Sequence, residues 1–282
     1  MGICLLLNKG ENVDIFYYIM IFIMGTVFGS FFTLAVYRIP LKKDITHERS
    51  FCPTCNHKLG FWDMIPVLSY IAFRGKCRYC GEKIRIRYLI LEVLSGLVFL
   101  TEYLALNMHF PNLEIGKIAL FVAFIFTYVT IAIICGIDKE YRKVNVGLII
   151  FGFIMEGLYI LYLYIVEGTI IYRYGMYLFM MILLYIINTV SIKKLGESKY
   201  FIECLMLCSY IGACLEPELL LLIAVLAGIL IVLNQIYQKM KKMFKDKPDI
   251  LQDNELPKVR IGFFLGIATI AVTILETYIT YM

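Results

Sequence analysis

Histidine is scarce in this 282-residue sequence, and what is missing around it removes several chemistries. His47, His57 and His109 are the three, and they show no metal-ligand spacing with one another. Ser30, Ser69 and Ser95 have no histidine partner in motif context, which leaves a serine hydrolase with little support. No repeat or low-complexity tract is present. The net charge of +5 forms no basic domain face; its Lys and Arg fall in short loops between apolar runs, so no nucleic-acid partner is expected. The first apolar run, beginning near Ile15, lacks a small-residue cleavage site and is too long for a removed signal peptide, so it reads as a retained helix. A transporter has a weak basis, because acidic residues inside the apolar runs do not cluster and no pair of broken helices is evident.

What is abundant is apolar chain. Hydrophobic residues make up 61% and mean hydropathy is +0.79, well above the roughly 45–50% apolar usage of soluble domains. Runs of about bilayer-spanning length occupy residues 15–38, 89–106, 118–137, 146–166, 175–192, 202–215, 218–236 and 261–281. The expected fold class is therefore an all-α integral membrane protein of about eight transmembrane helices. Strict alternation of these spans sorts 24 of the 27 Lys and Arg to one side and leaves only Lys9, Lys117 and Arg173 on the other. By the positive-inside rule the rich side is cytoplasmic and both termini lie outside, which predicts a multi-pass protein of the plasma membrane in contact with lipid. The chain divides into an N-terminal tail and first helix (1–40), a cytoplasmic loop (41–88) and a transmembrane core (89–282).

Five of the nine cysteines, Cys4, Cys135, Cys204, Cys208 and Cys214, sit in or near apolar stretches, where cysteine behaves as a small hydrophobe. The other four form two Cys-x-x-Cys pairs in the first loop, Cys52/Cys55 and Cys77/Cys80, with 21 residues between the pairs. That is just beyond the separation of about 15–20 in zinc ribbons. A cytoplasmic loop disfavours structural disulfides, so a closed four-thiolate zinc site is preferred over two redox bridges. Such a site is structural, tying together a loop too small to fold on a core of its own.

Ionisable groups at membrane depth mark candidate chemistry. Asp138 directly follows the apolar run Ala132–Ile137 and is expected at the cytoplasmic mouth of the third span, either as a catalytic group or as an ordinary solvated carboxylate at a helix end. Glu197, in Lys194-Leu195-Gly196-Glu197-Ser198-Lys199, falls on the same face by the alternation. Two carboxylates that approach closely in a partly desolvated pocket cannot both ionise; one keeps a proton while the other serves as base for a water. Gly196 would let the backbone approach closely beside the second carboxylate. Glu92, Glu156 and Glu203 lie in or at the ends of apolar runs and can line a cavity, pair with Lys or mark a shifted boundary.

These residues resemble the bacterial type IV prepilin leader peptidases, membrane aspartic proteases of the Gly-x-Gly-Asp type. The run Gly29-Ser-Phe-Phe-Thr-Leu-Ala-Val-Tyr-Arg-Ile-Pro40 is similar to the family's first-helix signature. It leads through Cys52-Pro-Thr-Cys55, Trp62–Tyr70 and Arg74-Gly-Lys-Cys-Arg-Tyr-Cys-Gly81 to Arg87-Tyr88 and Leu91-Glu92. The step Ile137-Asp138 matches the position of the family's first catalytic aspartate, and Leu256–Gly266 resembles its last helix. Two motifs depart. Val144-Asn145-Val146 stands where the family has Ile-Pro-Asp or Ile-Pro-Asn, and Lys194–Lys199 stands where it has Gly-x-Gly-Asp-x-Lys, so Glu197 replaces an aspartate and Lys194 a glycine.

The resemblance implies a bifunctional enzyme. It would cleave the leader of type IV prepilin or pseudopilin precursors after a glycine on the cytoplasmic side, with Asp138 and Glu197 as the catalytic pair and Gly196 and Lys199 completing the motif. It would then N-methylate the new terminus from S-adenosylmethionine. Nothing in composition or spacing marks a methyl-donor site. The competing reading is a degenerate homologue, acting as a methyltransferase alone or as a membrane assembly factor.

Overall fold

The computed structural model describes residues 9–45, 49–108, 114–168, 172–195, 200–215, 217–243 and 260–281. In chain order these form α1 (Lys9–Arg38), a 3₁₀ turn (Trp62–Met64), α2 (Leu68–Ala72), α3 (Arg87–Ala105), α4 (Ile115–Tyr141), α5 (Val146–Glu167), α6 (Tyr172–Leu195), α7 (Tyr200–Cys214), α8 (Pro217–Met243) and α9 (Ile261–Tyr281). Every apolar run of the sequence is a helix, as its backbone must be if no water is present to take up its N–H and C=O groups. Among the described residues, seven helices are long and apolar enough to cross a bilayer, and the chain is an all-α, multi-pass membrane protein. The eighth apolar helix, α7, has 15 residues. At a rise of about 1.5 Å per residue it covers about 22 Å, against a hydrocarbon thickness of about 30 Å.

Two compact units divide the chain: residues 1–125 with 274–282, and residues 126–273. In the first, α1 packs against α3 through a small-residue seam. A Cβ added to Gly25 would lie 2.6 Å from the Ser95 carbonyl oxygen, and one on Gly29 would lie 2.8 Å from the Glu92 Cα. Gly25-x-x-x-Gly29 is thus the close-approach pattern by which membrane helices pack without a hydrophobic driving force between them. The buried Arg38 closes α1, donating from its guanidinium to the Asp44 carbonyl at 2.8 Å and turning the chain into the first loop. Val67, at the start of α2, takes φ 62°, which is strained for a β-branched residue by of order 1–3 kcal/mol. Its N–H donates to Glu92 Oε2 of α3 at 2.7 Å, a charge-assisted bond that offsets the strain and fixes α2 to that helix.

In the second unit α7 is the central element. Met206, Leu207, Tyr210 and Ile211 are fully buried in a core shared with Ile134 and Phe153. Tyr210 lies over Gly152 of α5, and Tyr177 of α6 lies over Gly212. Apart from the exposed Phe201 and Leu205, helix α7 is therefore covered by protein, where its length need not match the bilayer. Helix α9 meets α4 through a second glycine pair, Gly262 and Gly266. A Cβ on Gly266 would collide with Cys135 Sγ, and one on Gly262 would stand 3.2 Å from Asp138 Oδ2.

Candidate active site and four-cysteine cluster

The first loop holds two copies of one backbone turn. In the first, Cys52 N–H donates to the His57 carbonyl (3.0 Å), Asn56 N–H to the Cys52 carbonyl (2.8 Å) and Leu59 N–H to the Ser50 carbonyl (2.8 Å). In the second, Cys77 N–H donates to Glu82, Gly81 N–H to Cys77 and Ile84 N–H to Gly75, at 2.8, 2.9 and 2.8 Å. The residue just after each pair takes the left-handed conformation that closes the turn, Asn56 with φ 56° and Gly81 with φ 74°. Each turn aims two thiols inward, so that the sulfurs of Cys52, Cys55, Cys77 and Cys80 lie within 4.8 Å of one another.

A tetrahedral ion with metal–sulfur bonds of about 2.3 Å holds its sulfurs about 3.8 Å apart. Cys52 Sγ and Cys80 Sγ are 3.8 Å apart. The electrostatics also call for a cation. The Cys55 N–H directed at Cys52 Sγ pulls that thiol down to about 6. At Cys80 the Glu82 N–H acts the same way, but desolvation and the three facing sulfurs outweigh it and raise the thiol to about 12. Four thiolates therefore need positive charge among them to coexist, and the donor set fits a metal.

Asp138 is the last-turn carboxylate of α4, and its side chain is 0% exposed. Its Oδ2 accepts the Phe263 N–H at 2.8 Å, which places it at the N-terminus of α9, where unpaired amides and the helix dipole favour an anion. The Tyr200 phenol, from the first residue of α7, faces the same carboxyl, and its oxygen also accepts the Gly262 N–H at 3.3 Å. Arg142 and Arg260 bring positive charge to Asp138, and the Arg142 guanidinium lies 5.1 Å from the Tyr200 ring centroid. Oδ1 is buried and receives no hydrogen bond from the described residues.

The turn after Asp138 is equally constrained. Arg142, with φ 52°, donates its N–H to the Asp138 carbonyl at 3.0 Å. Val144 N–H donates to Glu203 Oε2 of α7 at 3.1 Å, and Asn145 caps α5 by accepting the Leu148 N–H at 3.1 Å. Asn145 thus starts a helix at the position where the resemblance leads one to expect a proline.

The four cysteines are brought together, and Asp138 is a buried carboxylate rather than a solvated helix end. Gly196, Glu197 and Lys199 lie outside the described residues. The three open glutamates each have a partner: Glu92 the Val67 N–H, Glu203 the Val144 N–H and Glu156 the Thr127 hydroxyl at 3.4 Å. Sequence reasoning did not find Tyr200, the Phe263 amide or the role of Gly262; the four-residue spacing of Gly262 and Gly266 was the available signal.

Residues 23–107 match the family model described as the bacterial peptidase A24 N-terminal domain. The prepilin leader peptidase/N-methyltransferase of Myxococcus xanthus is 42% identical over 81 residues, which are 29% of this chain and 24% of that protein. The same-named protein of Vibrio cholerae is 40% identical over 85 residues, 27% of this chain and 34% of that protein. That of Bacillus subtilis is 39% identical over 80 residues, 28% of this chain and 32% of that protein. The chain therefore matches about a quarter to a third of the length of these curated relatives, and no solved structure matches it. The glycine seam of α1, the four-cysteine turns and Glu92 all fall inside the matched segment, whereas Asp138 lies beyond it. Through residues 23–107, about 30% of its length, the chain is similar to the bacterial peptidase A24 N-terminal domain.

Proposed function

We propose that this protein is a membrane aspartic endopeptidase of the prepilin leader peptidase kind, acting on type IV prepilin or pseudopilin precursors at the cytoplasmic face and N-methylating the product. The observation that carries this reading is the buried Asp138 carboxyl with Tyr200 facing it. Glu197 precedes Tyr200 by three residues in the sequence. In this reading Glu197 supplies the second carboxylate, with Gly196 and Lys199 completing its motif.

Asp138 and Glu197 share one proton in this mechanism. The ionised carboxyl takes a proton from a water, whose oxygen attacks the scissile carbonyl carbon, and the protonated partner donates to the carbonyl oxygen. Collapse of the adduct breaks the C–N bond, and the departing amine takes up a proton. Asp138 Oδ1, which no described group donates to, is the oxygen free to bind the water.

The positive-inside rule supports a cytoplasmic site with both termini outside. That topology requires α7 to carry the chain across, which its enclosure by α5 and α6 permits despite its 15 residues. In the 41–88 loop, Cys52, Cys55, Cys77 and Cys80 would hold zinc as a structural cross-link. S-adenosylmethionine would supply the methyl group. A cavity of about 210 Å³ between α5 and α6, lined by Phe153, Ile154, Tyr174 and Met181 among others, offers no charged side chain and does not suit that donor's ammonium and carboxylate, so no methyl-transfer step is assigned to it.

Glu197 in place of aspartate favours one alternative, a homologue that no longer cleaves. The test is co-expression with a precursor whose basic leader ends in Gly before an apolar helix. Asp138→Asn should abolish cleavage with membrane insertion intact, and full processing by that variant would sink the peptidase reading. Glu197→Asp should keep or raise activity and Glu197→Gln should remove it; indifference to both identifies the alternative.

A further inference from the structure

Between the two cysteine turns, the loop exposes apolar side chains that its own fold leaves uncovered. Phe61 is 73% exposed, Trp62 70%, Leu68 65% and Ile71 62%. They form one ledge: the Phe61 and Trp62 rings meet edge to face at 5.8 Å, and the 3₁₀ turn that carries Trp62 packs on α2, which carries Leu68 and Ile71. A loop with few apolar residues to spend on a core would bury these first if water were their surroundings.

We infer that this ledge inserts into the headgroup layer of the membrane, and that the four-cysteine loop thereby lies on the bilayer surface. Three observations select lipid as the occupant. The first is depth. Val67, immediately before α2, is bonded to Glu92, five residues into the Arg87–Ala105 span. At about 1.5 Å per residue that is about 7–8 Å below the start of α3, so α2 lies beside the outer turns of a membrane helix. The second is continuity, because Ile90, Leu91 and Leu94 on those turns of α3 are themselves exposed apolar residues.

The third observation is chemistry. Residues 42–87 carry ten Lys and Arg, among them Lys58, Arg74, Lys76 and Arg78 around the ledge, and this excess suits an anionic lipid surface. The amphipathic ring of tryptophan is at home at the headgroup level. Trp62 is also the sole tryptophan of the chain, so it reports on its own surroundings without background. The inference rests on the membrane spans and the loop geometry, and stands whether or not the protein cleaves precursors.

The experiment uses the intact, metal-replete protein in bilayers of phosphatidylethanolamine and phosphatidylglycerol, with acyl chains brominated either near the headgroup or near the terminal methyl. Trp62 emission should be blue-shifted, lose most of its intensity to the shallow bromines, lose little to the deep ones and resist aqueous iodide. Leu68→Gln with Ile71→Gln should restore iodide quenching while metal content stays constant, which shows that the loop is still folded. Iodide quenching as strong as that of free tryptophan, without bromine quenching, overturns the proposal. So does protection that arises only when a precursor peptide is added, or only as the protein-to-lipid ratio rises; these outcomes assign the ledge to a protein partner or to a second copy.

Discussion

The Phe263 backbone N–H donates to Asp138 Oδ2 at 2.8 Å, joining residues 125 positions apart and setting the last turn of α4 against the first turn of α9. The contact exists because Gly262 has no Cβ: one placed there would stand 3.2 Å from Oδ2 and 3.3 Å from a Val144 methyl. The carboxylate takes the place that an N-cap side chain or a bound anion has at other helix starts.

Gly262→Ala should therefore displace the Asp138 carboxyl without removing any functional group. A shift of about 1 Å in a reacting group can cost on the order of 10²-fold in rate. A contact of 3.2 Å is relieved by a few tenths of an ångström, so single-turnover cleavage by the variant should fall several-fold, up to about tenfold, while KM and membrane insertion hold. Wild-type rates would show that the seam between α4 and α9 does not position the carboxyl.

Tyr200 acts on the reaction through Asp138. Tyr200→Phe removes the phenol that faces the carboxyl and accepts the Gly262 N–H, and keeps the ring under Arg142. A hydrogen bond to a charged group contributes about 1.5–3 kcal/mol, so kcat should drop about tenfold or more. KM should stay put, because the tyrosine is assigned no contact with substrate. If KM rises and kcat does not, Tyr200 instead lines the precursor-binding path.

The turn between α4 and α5 can be tested through stability. Glu203→Ala leaves the buried Val144 N–H without its acceptor, which costs about 1–3 kcal/mol. Glu203→Gln retains an acceptor oxygen and should lose less. Thermal melts in detergent should rank wild type above Gln and Gln above Ala; equal melts for all three would remove Glu203 from the account of the turn.

Metal analysis of purified protein should return about one zinc per chain, matching four thiolates around one ion. Cys52→Ser or Cys77→Ser should abolish it, and acidification should release it, because protons compete with zinc for the sulfurs. Metal-free protein purified under reducing conditions would mean four free thiols.

Asp138 and the cysteines were legible in the sequence for a common reason: each breaks its local pattern. A carboxylate at the end of an unbroken apolar run is costly unless it is used, and two Cys-x-x-Cys pairs are too regular to be incidental. Glu203 was legible as an acidic residue in an apolar run but not in its role, while Tyr200 and the Phe263 amide are ordinary in their own stretches; all three acquire roles only when α7 and α9 pack on α4. Helix α2 was equally hidden, since its bonds run from Val67 to a glutamate 25 residues away and from Tyr70 to Ile84. Helix α7 was legible as an apolar segment at 202–215, but its brevity makes sense only once its surrounding helices are known.

The doubled turn around the cysteines has an evolutionary corollary. Each turn completes its own backbone hydrogen bonds within about ten residues, so the stretch from Gly60 to Arg74 is an insert between two self-contained turns, held to its surroundings by the Tyr79 hydroxyl on Asp63 Oδ2 at 3.0 Å and the Val67 N–H on Glu92. Doubling such an insert adds only about 0.6 kcal/mol of closure entropy. The 21-residue gap that sits just outside the range of ordinary ribbons can then change length at little entropic cost wherever the Asp63–Tyr79 and Val67–Glu92 bonds are kept.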